Sequence, residues 1–102
     1  MKKHQKAIDD WVQGYEVPYW PPLSIFARIV EEVGEVGRLL NHMYGAKPKK
    51  VHEAEQELGQ EIADVMFSLI CLANKHNIDL DTEMEKVIQK SRERDKDRFN
   101  KK

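Results

Sequence analysis

The sequence predicts an all-α fold, an antiparallel bundle of four to five helices that assembles as a homo-oligomer. Its 102 residues are 40% hydrophobic and 34% charged, with Ala, Leu, Glu and Lys common, a composition typical of a soluble helical domain. Apolar residues recur at spacings of three and four, the period of an amphipathic helix. One expected helix is apolar on all sides over half its length, and a single short chain can scarcely surround it.

A first short helix and an aromatic loop open the chain. The helix is expected over about Lys2–Gln13, and Gly14 ends it. The next stretch, YEVPYWPPLS from Tyr15 to Ser24, breaks the helical pattern with three prolines. Because Tyr19 and Trp20 lie beside these prolines, we expect an ordered loop. It either covers the end of the bundle or offers a ring platform for a flat ligand.

Two longer helices follow the loop. The second is expected over about Leu23–Met43, and Gly45 ends it. Residues 45–50, GAKPKK, form a short basic connection that returns the chain antiparallel. The third helix is expected over about His52–His76. Asp64 is its only charged residue between positions 62 and 73, so this half should be buried on every side.

A fourth helix is expected over about Thr82–Phe99. Asp79 to Thr82 offers caps at its start, and Thr82 and Glu85 have the spacing of a capping box. The tail from about residue 95 is so charged that we expect it to fray. The whole chain, residues 1–102, is expected to form one domain.

Charge and cysteine content exclude several classes of protein. The net charge of -1 gives no general attraction to nucleic acid, so no nucleic-acid partner is expected. The single cysteine, Cys71, cannot form an intrachain disulfide, which indicates a reducing compartment. No stretch is long and apolar enough for a membrane span or a secretory signal. We therefore expect a cytoplasmic protein with no membrane partner.

Two acidic pairs at helical spacing indicate a functional site. Glu32 and Glu35 lie three residues apart in the second helix, and Glu61 and Asp64 do so in the third. This spacing places both carboxylates of a pair on one helix face. On a helical wheel Glu32 falls inside an apolar stripe. The members of that stripe are Ile25, Ile29, Val33, Val36, Leu40 and Met43.

Four carboxylates would meet if the second and third helices pack antiparallel. Such a cluster requires a compensating cation, and oxygen ligands favour Mg²⁺ or Mn²⁺. Zinc would call for His or Cys, and a helical di-iron site for Glu-x-x-His, which these positions lack. The alternative is a pair of solvated acidic faces that form salt bridges. Glu57, one turn before Glu61, either joins the site or is a surface acid.

Basic residues supply candidate phosphate contacts. Lys86, Lys90 and Arg94 are spaced four apart on the fourth helix, and Lys47 and Lys50 lie in the connection. Polyphosphate suits a site that has acidic metal ligands on one side and cations on the other. The alternative is a solvated helix face paired with neighbouring acids. Arg28 is expected as an ion-pair partner of Glu32, which lies near it on the wheel.

The EEVGE motif, a spacer and then EIAD resemble the signature of the MazG-type nucleotide pyrophosphohydrolases, in the all-α NTP pyrophosphatase superfamily. The resemblance covers most of the chain, and the two acidic motifs are its specific part. It implies that Glu32, Glu35, Glu61 and Asp64 are Mg²⁺ ligands. It also implies a helical homodimer or a dimer-of-dimers tetramer.

The implied reaction is hydrolysis of a nucleoside triphosphate between the α and β phosphates, which gives a monophosphate and pyrophosphate. Glu35 or Glu57 would accept the proton of the attacking water. Lys86, Lys90 and Arg94 are the expected phosphate contacts, with Lys47 and Lys50 as alternatives. Base recognition is assigned to three candidates, which are Trp20, Phe26 and Asn74.

Two other functions stay open from the sequence. The same chemistry would act on phosphoribosyl-ATP if the chain resembles the hydrolases of that nucleotide more closely. A protein without catalytic activity could use the acids to bind metal for assembly, or could hold a nucleotide without cleaving it. The release of pyrophosphate or orthophosphate from a panel of substrates distinguishes these functions.

Overall fold

Four helices make up the described part of the chain. The computed structural model describes residues 1–45 and 51–98, with the backbone alone for residues 51–56. The helices are α1 (Lys2–Val12), α2 (Pro22–Tyr44), α3 (Val51–Lys75) and α4 (Leu80–Asp95). The predicted all-α fold is confirmed, and no strand occurs in residues 1–45 or 51–98. Each described helix lies close to its expected bounds, and the connection at residues 46–50 falls outside the described residues.

Helices α2 and α3 form the central antiparallel hairpin. Glu32 of α2 lies beside Glu61 and Asp64 of α3. Earlier positions on α2, such as Ile25, share a cavity with later positions on α3, such as Cys71. The order of contacts therefore runs in opposite directions along the two helices. This arrangement brings the two acidic motifs to the same face of the hairpin.

Helix α1 packs antiparallel across α3. The Gln5 side-chain amide donates to the side-chain oxygen Oδ1 of Asn74 at 3.0 Å, near the end of α3. One and a half turns further along α1, the ring centroid of Trp11 lies 6.2 Å from that of Phe67. Val12, which ends the helix, is buried. The first helix thus covers the same half of α3 that carries the apolar sequence.

The buried face of α2 differs from the predicted stripe. Val33 and Leu40, both expected to face the core, are 52% and 40% exposed. The buried residues are Ile25 and Glu32, both within the predicted stripe, and Leu39, and the three are spaced seven apart. A single neighbouring helix covers only a narrow face, and at this spacing that face is centred on Glu32. Ile29, Val36 and Met43, three further members of the predicted stripe, are half-buried, so the prediction is rotated by only about half of the 100° step between neighbouring residues.

The turn from α3 to α4 is a Schellman motif. The Ile78 amide donates to the Ala73 carbonyl at 2.9 Å, and the Asn77 amide donates to the Asn74 carbonyl at 3.1 Å. Asn77 takes the left-handed conformation that this motif requires, with φ of 57°. Asn tolerates that region better than most residues because its short polar side chain bonds locally.

Asp79, the first of the expected caps, caps α4, so the capping box expected at Thr82 and Glu85 does not lie at the start of the helix. Its carboxylate accepts from the backbone amides of Asp81 at 3.1 Å and of Thr82 at 3.5 Å. The Thr82 hydroxyl donates to the other carboxylate oxygen at 3.1 Å. Asp79 and Thr82 are both residue types that cap helices. The Schellman turn ends at Ile78, immediately before Asp79, so α4 begins there and not at Thr82. Glu85 therefore lies beyond the position that a capping box requires.

Helix α4 leaves the body of the molecule, since none of its residues is buried. The radius of gyration is 17.1 Å, whereas a compact chain of this length has about 13 Å. The apolar half of α3 is also incompletely covered, because Ile62 and Leu69 are 46% and 45% exposed. One chain therefore leaves apolar helix surface in water. None of the helices in the described ranges combines the length and the apolar character that spanning a bilayer demands.

Replacing Asp79 with Ala should lower the Tm by roughly 5 °C, because the first amides of α4 lose their acceptor. Thermal unfolding followed by circular dichroism measures this. Glu85→Ala is the matched control and should change the Tm by less than half as much. If Glu85→Ala has the larger effect, the capping box begins at Thr82 after all.

Candidate functional site

Three carboxylates meet where α2 and α3 face each other. Glu32, Glu61 and Asp64 each offer an oxygen, and these oxygens all lie within 4.8 Å of one another. The antiparallel hairpin places Glu32 opposite the pair on α3. The structure thus brings together three of the four residues that the sequence suggested as metal ligands. We call these three residues the acidic cluster.

Three negative charges this close together in the acidic cluster repel one another. Removal of water raises the pKa of Glu61, and the charges of Asp64, Glu32 and Glu35 raise it further. Glu32 is only 8% exposed, and one of its oxygens accepts from the Arg28 guanidinium Nε at 2.9 Å. Arg28 therefore compensates part of the charge, as its position on the helix predicts. The cluster as a whole favours a further cation.

Glu35 and Glu57, the two candidate proton acceptors, lie beside the acidic cluster on exposed helix surface. Glu35 pairs with Arg38, whose Nη2 lies 3.2 Å from its carboxylate, and its charge contributes to the raised pKa of Glu61. Glu57 is exposed one turn before Glu61 on α3. Glu35 is the fourth suggested ligand and lies outside the group of three.

The donor set of the acidic cluster fits a hard divalent cation. All three donors are carboxylate oxygens, which are the ligands of Mg²⁺ and Mn²⁺ rather than of zinc. Mg²⁺ binds oxygen at about 2.0–2.1 Å, so ligands on opposite sides of the ion lie about 4 Å apart. The observed 4.8 Å limit lies within a small side-chain adjustment of that distance.

An aromatic cavity of about 420 Å³ opens directly beside the acidic cluster. Glu32, Asp64 and Arg28 form one end of it. The aromatic loop and the end of α1 form another wall, and α3 contributes Phe67, Ser68 and Cys71. This volume lies in the range of small-molecule sites, about 300–1,000 Å³. The cavity is therefore continuous with the possible cation site.

Aromatic rings at the cavity remain largely in water. Trp11, Tyr15 and Trp20 are each 57–58% exposed. The Trp11 and Tyr15 rings pack edge to face, with centroids 5.5 Å apart. Exposed rings around a concave surface gain most when a flat apolar surface covers them. The cavity therefore suits a planar ligand.

Of the three suggested base contacts, only Trp20 lines the cavity. Phe26 lies on an exposed face of α2, outside the cavity wall. Asn74 uses its side-chain amide for internal bonds: it donates to the Gln5 carbonyl at 2.9 Å and to the Tyr19 hydroxyl at 3.0 Å. Its carbonyl oxygen accepts from Gln5. Asn74 thus links α1, α3 and the aromatic loop.

Tyr19 holds the aromatic loop against α1. Its hydroxyl donates to the Asp9 carboxylate at 2.7 Å while accepting from Asn74. Burial, followed by the bond to Asp9, raises the pKa of Tyr19 to about 12. The same bond lowers the pKa of Asp9 below its usual value. Because Tyr19 also lines the cavity, this network fixes one wall of it.

The suggested phosphate contacts lie apart from the acidic cluster in a single chain. None of Lys86, Lys90 and Arg94 lines the aromatic cavity. Lys86 pairs with Glu83 at 3.2 Å, and Arg94 pairs with its neighbour Asp95 at 2.9 Å. Lys90 forms no ion pair among residues 57–98 or 1–45. Lys47 and Lys50 fall outside the described residues.

Ser68 and Cys71 are cavity residues that the sequence analysis missed. They follow Asp64 at spacings of four and seven on α3, so they continue the face that carries Glu61 and Asp64. That spacing was the available signal. Small side chains carry little information by themselves, so the apolar pattern of the helix dominates the prediction at both positions.

Comparison with known proteins places this geometry in context. The family model described as MazG nucleotide pyrophosphohydrolase domain matches residues 21–99, which include both acidic motifs and Ser68. The uncharacterized protein YpjD of Bacillus subtilis (strain 168) is 42% identical over 102 residues. That match covers 100% of this chain and 92% of YpjD.

Two solved structures share the fold. A Bacillus-conserved MazG protein, described as a nucleotide pyrophosphohydrolase, is 40% identical with a TM-score of 0.79, over 95% of this chain and 94% of that one. The crystal structure of YPJD from Bacillus subtilis is 40% identical with a TM-score of 0.78, over 87% of this chain and 91% of that one. The similarity therefore extends over nearly the whole chain.

Replacing Tyr19 with Phe should destabilise the protein at neutral pH and much less in acid. Because the folded pKa of Asp9 lies below its unfolded value, the Tyr19 bond stabilises the fold above pH 3.8 and is lost as the pH falls through the lower folded pKa. Urea unfolding at several pH values measures the difference from wild type. Tyr15→Phe, in the same loop, is the control and should show no such difference. A Tyr19→Phe difference that stays constant with pH would contradict the role of Asp9.

Proposed function

Because the chain belongs to the MazG nucleotide pyrophosphohydrolase domain family, we propose that it hydrolyses nucleoside or deoxynucleoside triphosphates to monophosphates and pyrophosphate. Bond cleavage between the α and β phosphates would serve to remove unwanted nucleotides from the pool. The observation that carries this proposal is the acidic cluster at the edge of the aromatic cavity. A nucleotide has a phosphate chain and a flat base, and these two features match the two halves of the site.

Mg²⁺, or Mn²⁺ in its place, is the proposed cofactor. Glu32, Glu61 and Asp64 would hold it, and a small rotation would let Glu35 join them. When bound, such an ion activates water and neutralises charge on phosphate oxygens. Glu35 or Glu57 would take the proton of the attacking water, since both lie on the exposed border of the acidic cluster.

The aromatic cavity is the proposed place for the base. Trp20 offers a ring for stacking at the open side of the cavity. The other two candidate base contacts have different surroundings, because Asn74 is bonded to Gln5 and Tyr19, and Phe26 is exposed and does not line the cavity. We therefore assign base binding to the cavity wall rather than to those two residues.

A second copy of the chain is the proposed partner of α2. Exposed positions follow one another along this helix at alternating spacings of three and four, the pattern of a coiled-coil seam. These positions are Leu23, Phe26, Val30, Val33, Gly37, Leu40 and Tyr44. All seven are exposed, and six are large and apolar. We call them the α2 seam.

Helix α3 adds to this apolar surface. Ile62, Met66 and Leu69 are exposed at spacings of four and three. A hairpin with exposed seams on both helices can pack against its copy as a four-helix bundle. The proposed assembly is a homodimer, or a tetramer formed by two such dimers. It would also cover the apolar side of α3 that the sequence predicts to be buried.

The same assembly offers a place for the basic helix. Because α4 leaves the body of its own chain, it can lie over the site of a second copy. Lys86, Lys90 and Arg94 would then contact the phosphates there, and the exposed apolar residues Val87 and Ile88 would be covered. Lys47 and Lys50 remain the alternative phosphate contacts.

Replacing Glu61 with Gln should lower pyrophosphate release by about 100-fold or more, because a ligand of the activating cation is lost. In the wild type, MgCl₂ at about 100 times its Kd should stabilise the fold by about 2.7 kcal/mol. The variant should lose most of that Mg²⁺-dependent rise in Tm. Pyrophosphate and orthophosphate are both quantified with a panel of triphosphates, because the product identifies the bond that breaks.

Glu31→Gln is the matched control for Glu61→Gln. It removes one carboxylate from the exposed side of α2, next to Glu32, and should leave both readouts unchanged. Full activity of Glu61→Gln would exclude Glu61 from the site. Orthophosphate as the sole product would exclude cleavage at the α–β bond.

Replacing Val30 with Lys should dissociate the assembly, because it places a charge within the α2 seam, between Phe26 and Val33. Light scattering coupled to gel filtration should give the variant the mass of one chain, 12.0 kDa, and the wild type a multiple of it. Ser24→Lys adds the same charge on the opposite side of α2 and should keep the wild-type mass. A wild-type monomer at all concentrations would contradict the proposed interface.

A further inference from the structure

The only buried uncharged polar side chain in the described part of the chain is that of Ser68, and it lies in the wall of the aromatic cavity. Ser68 is 6% exposed. Its hydroxyl has no hydrogen-bond partner in the protein among residues 1–45 and 57–98. No unpaired polar side-chain atom in these ranges is fully enclosed, so the hydroxyl must border open space. The hydroxyl therefore faces the space of the cavity. A group of this kind gains a bond when a polar ligand atom fills that space.

The position of Ser68 along α3 relates it directly to the acidic cluster. Glu61, Asp64, Ser68 and Cys71 share one helix face at spacings of three, four and three. At a rise of about 1.5 Å per residue, Ser68 lies about 6 Å beyond Asp64 along the helix axis. A phosphate at the acidic cluster and a base beside Ser68 would thus be separated by roughly one sugar ring.

The opposite wall and the open side of the cavity leave room for a ring at Ser68. Ile25 on α2 and Phe67 on α3 are apolar neighbours, and Trp11 and Trp20 lie at the loop side. Arg28, which lies one turn after Ile25 on α2, is paired with Glu32, and its Nε lies 2.9 Å from the Glu32 carboxylate. Besides the Asp64 carboxylate and the weakly polar Cys71 thiol, the polar group that a base edge would meet on α3 is the Ser68 hydroxyl.

We propose that Ser68 determines the base specificity of the site by hydrogen bonding to an exocyclic amine or carbonyl of a nucleobase held in the aromatic cavity. This proposal takes the position of the phosphates from the proposed function. The binding of the base in the aromatic cavity does not depend on that function. A hydroxyl can donate and accept, so its bond favours a base whose inserted edge carries a polar group at the right place. A base that leaves the hydroxyl unpaired is disfavoured.

The expected kinetic effect of Ser68→Ala is on substrate binding. One neutral hydrogen bond contributes about 1 kcal/mol, which corresponds to about a fivefold change in an equilibrium constant. For the preferred triphosphate, KM should rise about threefold to tenfold while kcat changes little, because a base contact is made in the ground state and the transition state alike. The ratio of kcat/KM between the best and the worst base should fall by a similar factor. Ser24→Ala, at an exposed serine, is the control.

Base binding can be measured without catalysis. Both tryptophans of the chain, Trp11 and Trp20, line this cavity, so their fluorescence reports directly on its occupancy. The probes are adenosine, guanosine, cytidine, uridine and thymidine in EDTA, because uncharged nucleosides avoid repulsion from the metal-free acidic cluster. The wild type should show saturable quenching with a preference for one base, and Ser68→Ala should weaken that preference.

The outcomes separate this proposal from the proposed function. Nucleoside binding that depends on Ser68, in a protein that releases no pyrophosphate, would support the base site and overturn the hydrolase. Normal pyrophosphate release without any nucleoside quenching would overturn the base site alone. Identical base preference in the wild type and in Ser68→Ala, in both assays, would overturn the role of Ser68. Circular dichroism verifies that the variant is folded.

Discussion

Glu32, Glu61 and Asp64 converge at the α2–α3 contact, and their negative charges are the main electrostatic constraint on the hairpin. Glu32 lies at the centre of the buried face of α2, a place that an apolar side chain would normally occupy. Burying a carboxylate there costs several kcal/mol unless charge compensates it. Arg28 supplies part of that compensation, while removal of water and then the neighbouring negative charges raise the pKa of Glu61. The fold therefore retains an unfavourable interaction that a bound cation would relieve.

Most of the helices, and the acidic face itself, could be predicted from the sequence. Proline and glycine mark the ends of α1 and α2, and helical spacing alone placed Glu61 and Asp64 on one face of α3. These features are local, so they need no knowledge of the neighbouring helices. The meeting of the two faces also followed, because a short connection permits only an antiparallel hairpin.

The remaining features depended on contacts that periodicity cannot define. A helical wheel cannot decide whether Leu39 or Leu40 is the buried position. Both are leucines on adjacent parts of the helix, about 100° apart, and only the contact with α3 decides which one is covered. The choice of Asp79 over Thr82 as the cap depended on where the preceding Schellman turn ends. The roles of Ser68 and Asn74 depended on which side chains surround them. Ser68 lies open to the cavity, whereas Asn74 is hydrogen bonded to Gln5 and Tyr19.

The site and the α2 seam lie on adjacent faces of the same helix, and this proximity links assembly to the proposed chemistry. Glu32 faces α3, whereas Val33, the next residue, lies on the seam. A rotation of α2 that improved packing at Val33 would move Glu32 relative to Glu61. Association of two copies would therefore also fix the rotation of α2. Since tight cation binding needs carboxylates held in place, a single chain with an unsupported α2 should bind metal more weakly than the assembled protein.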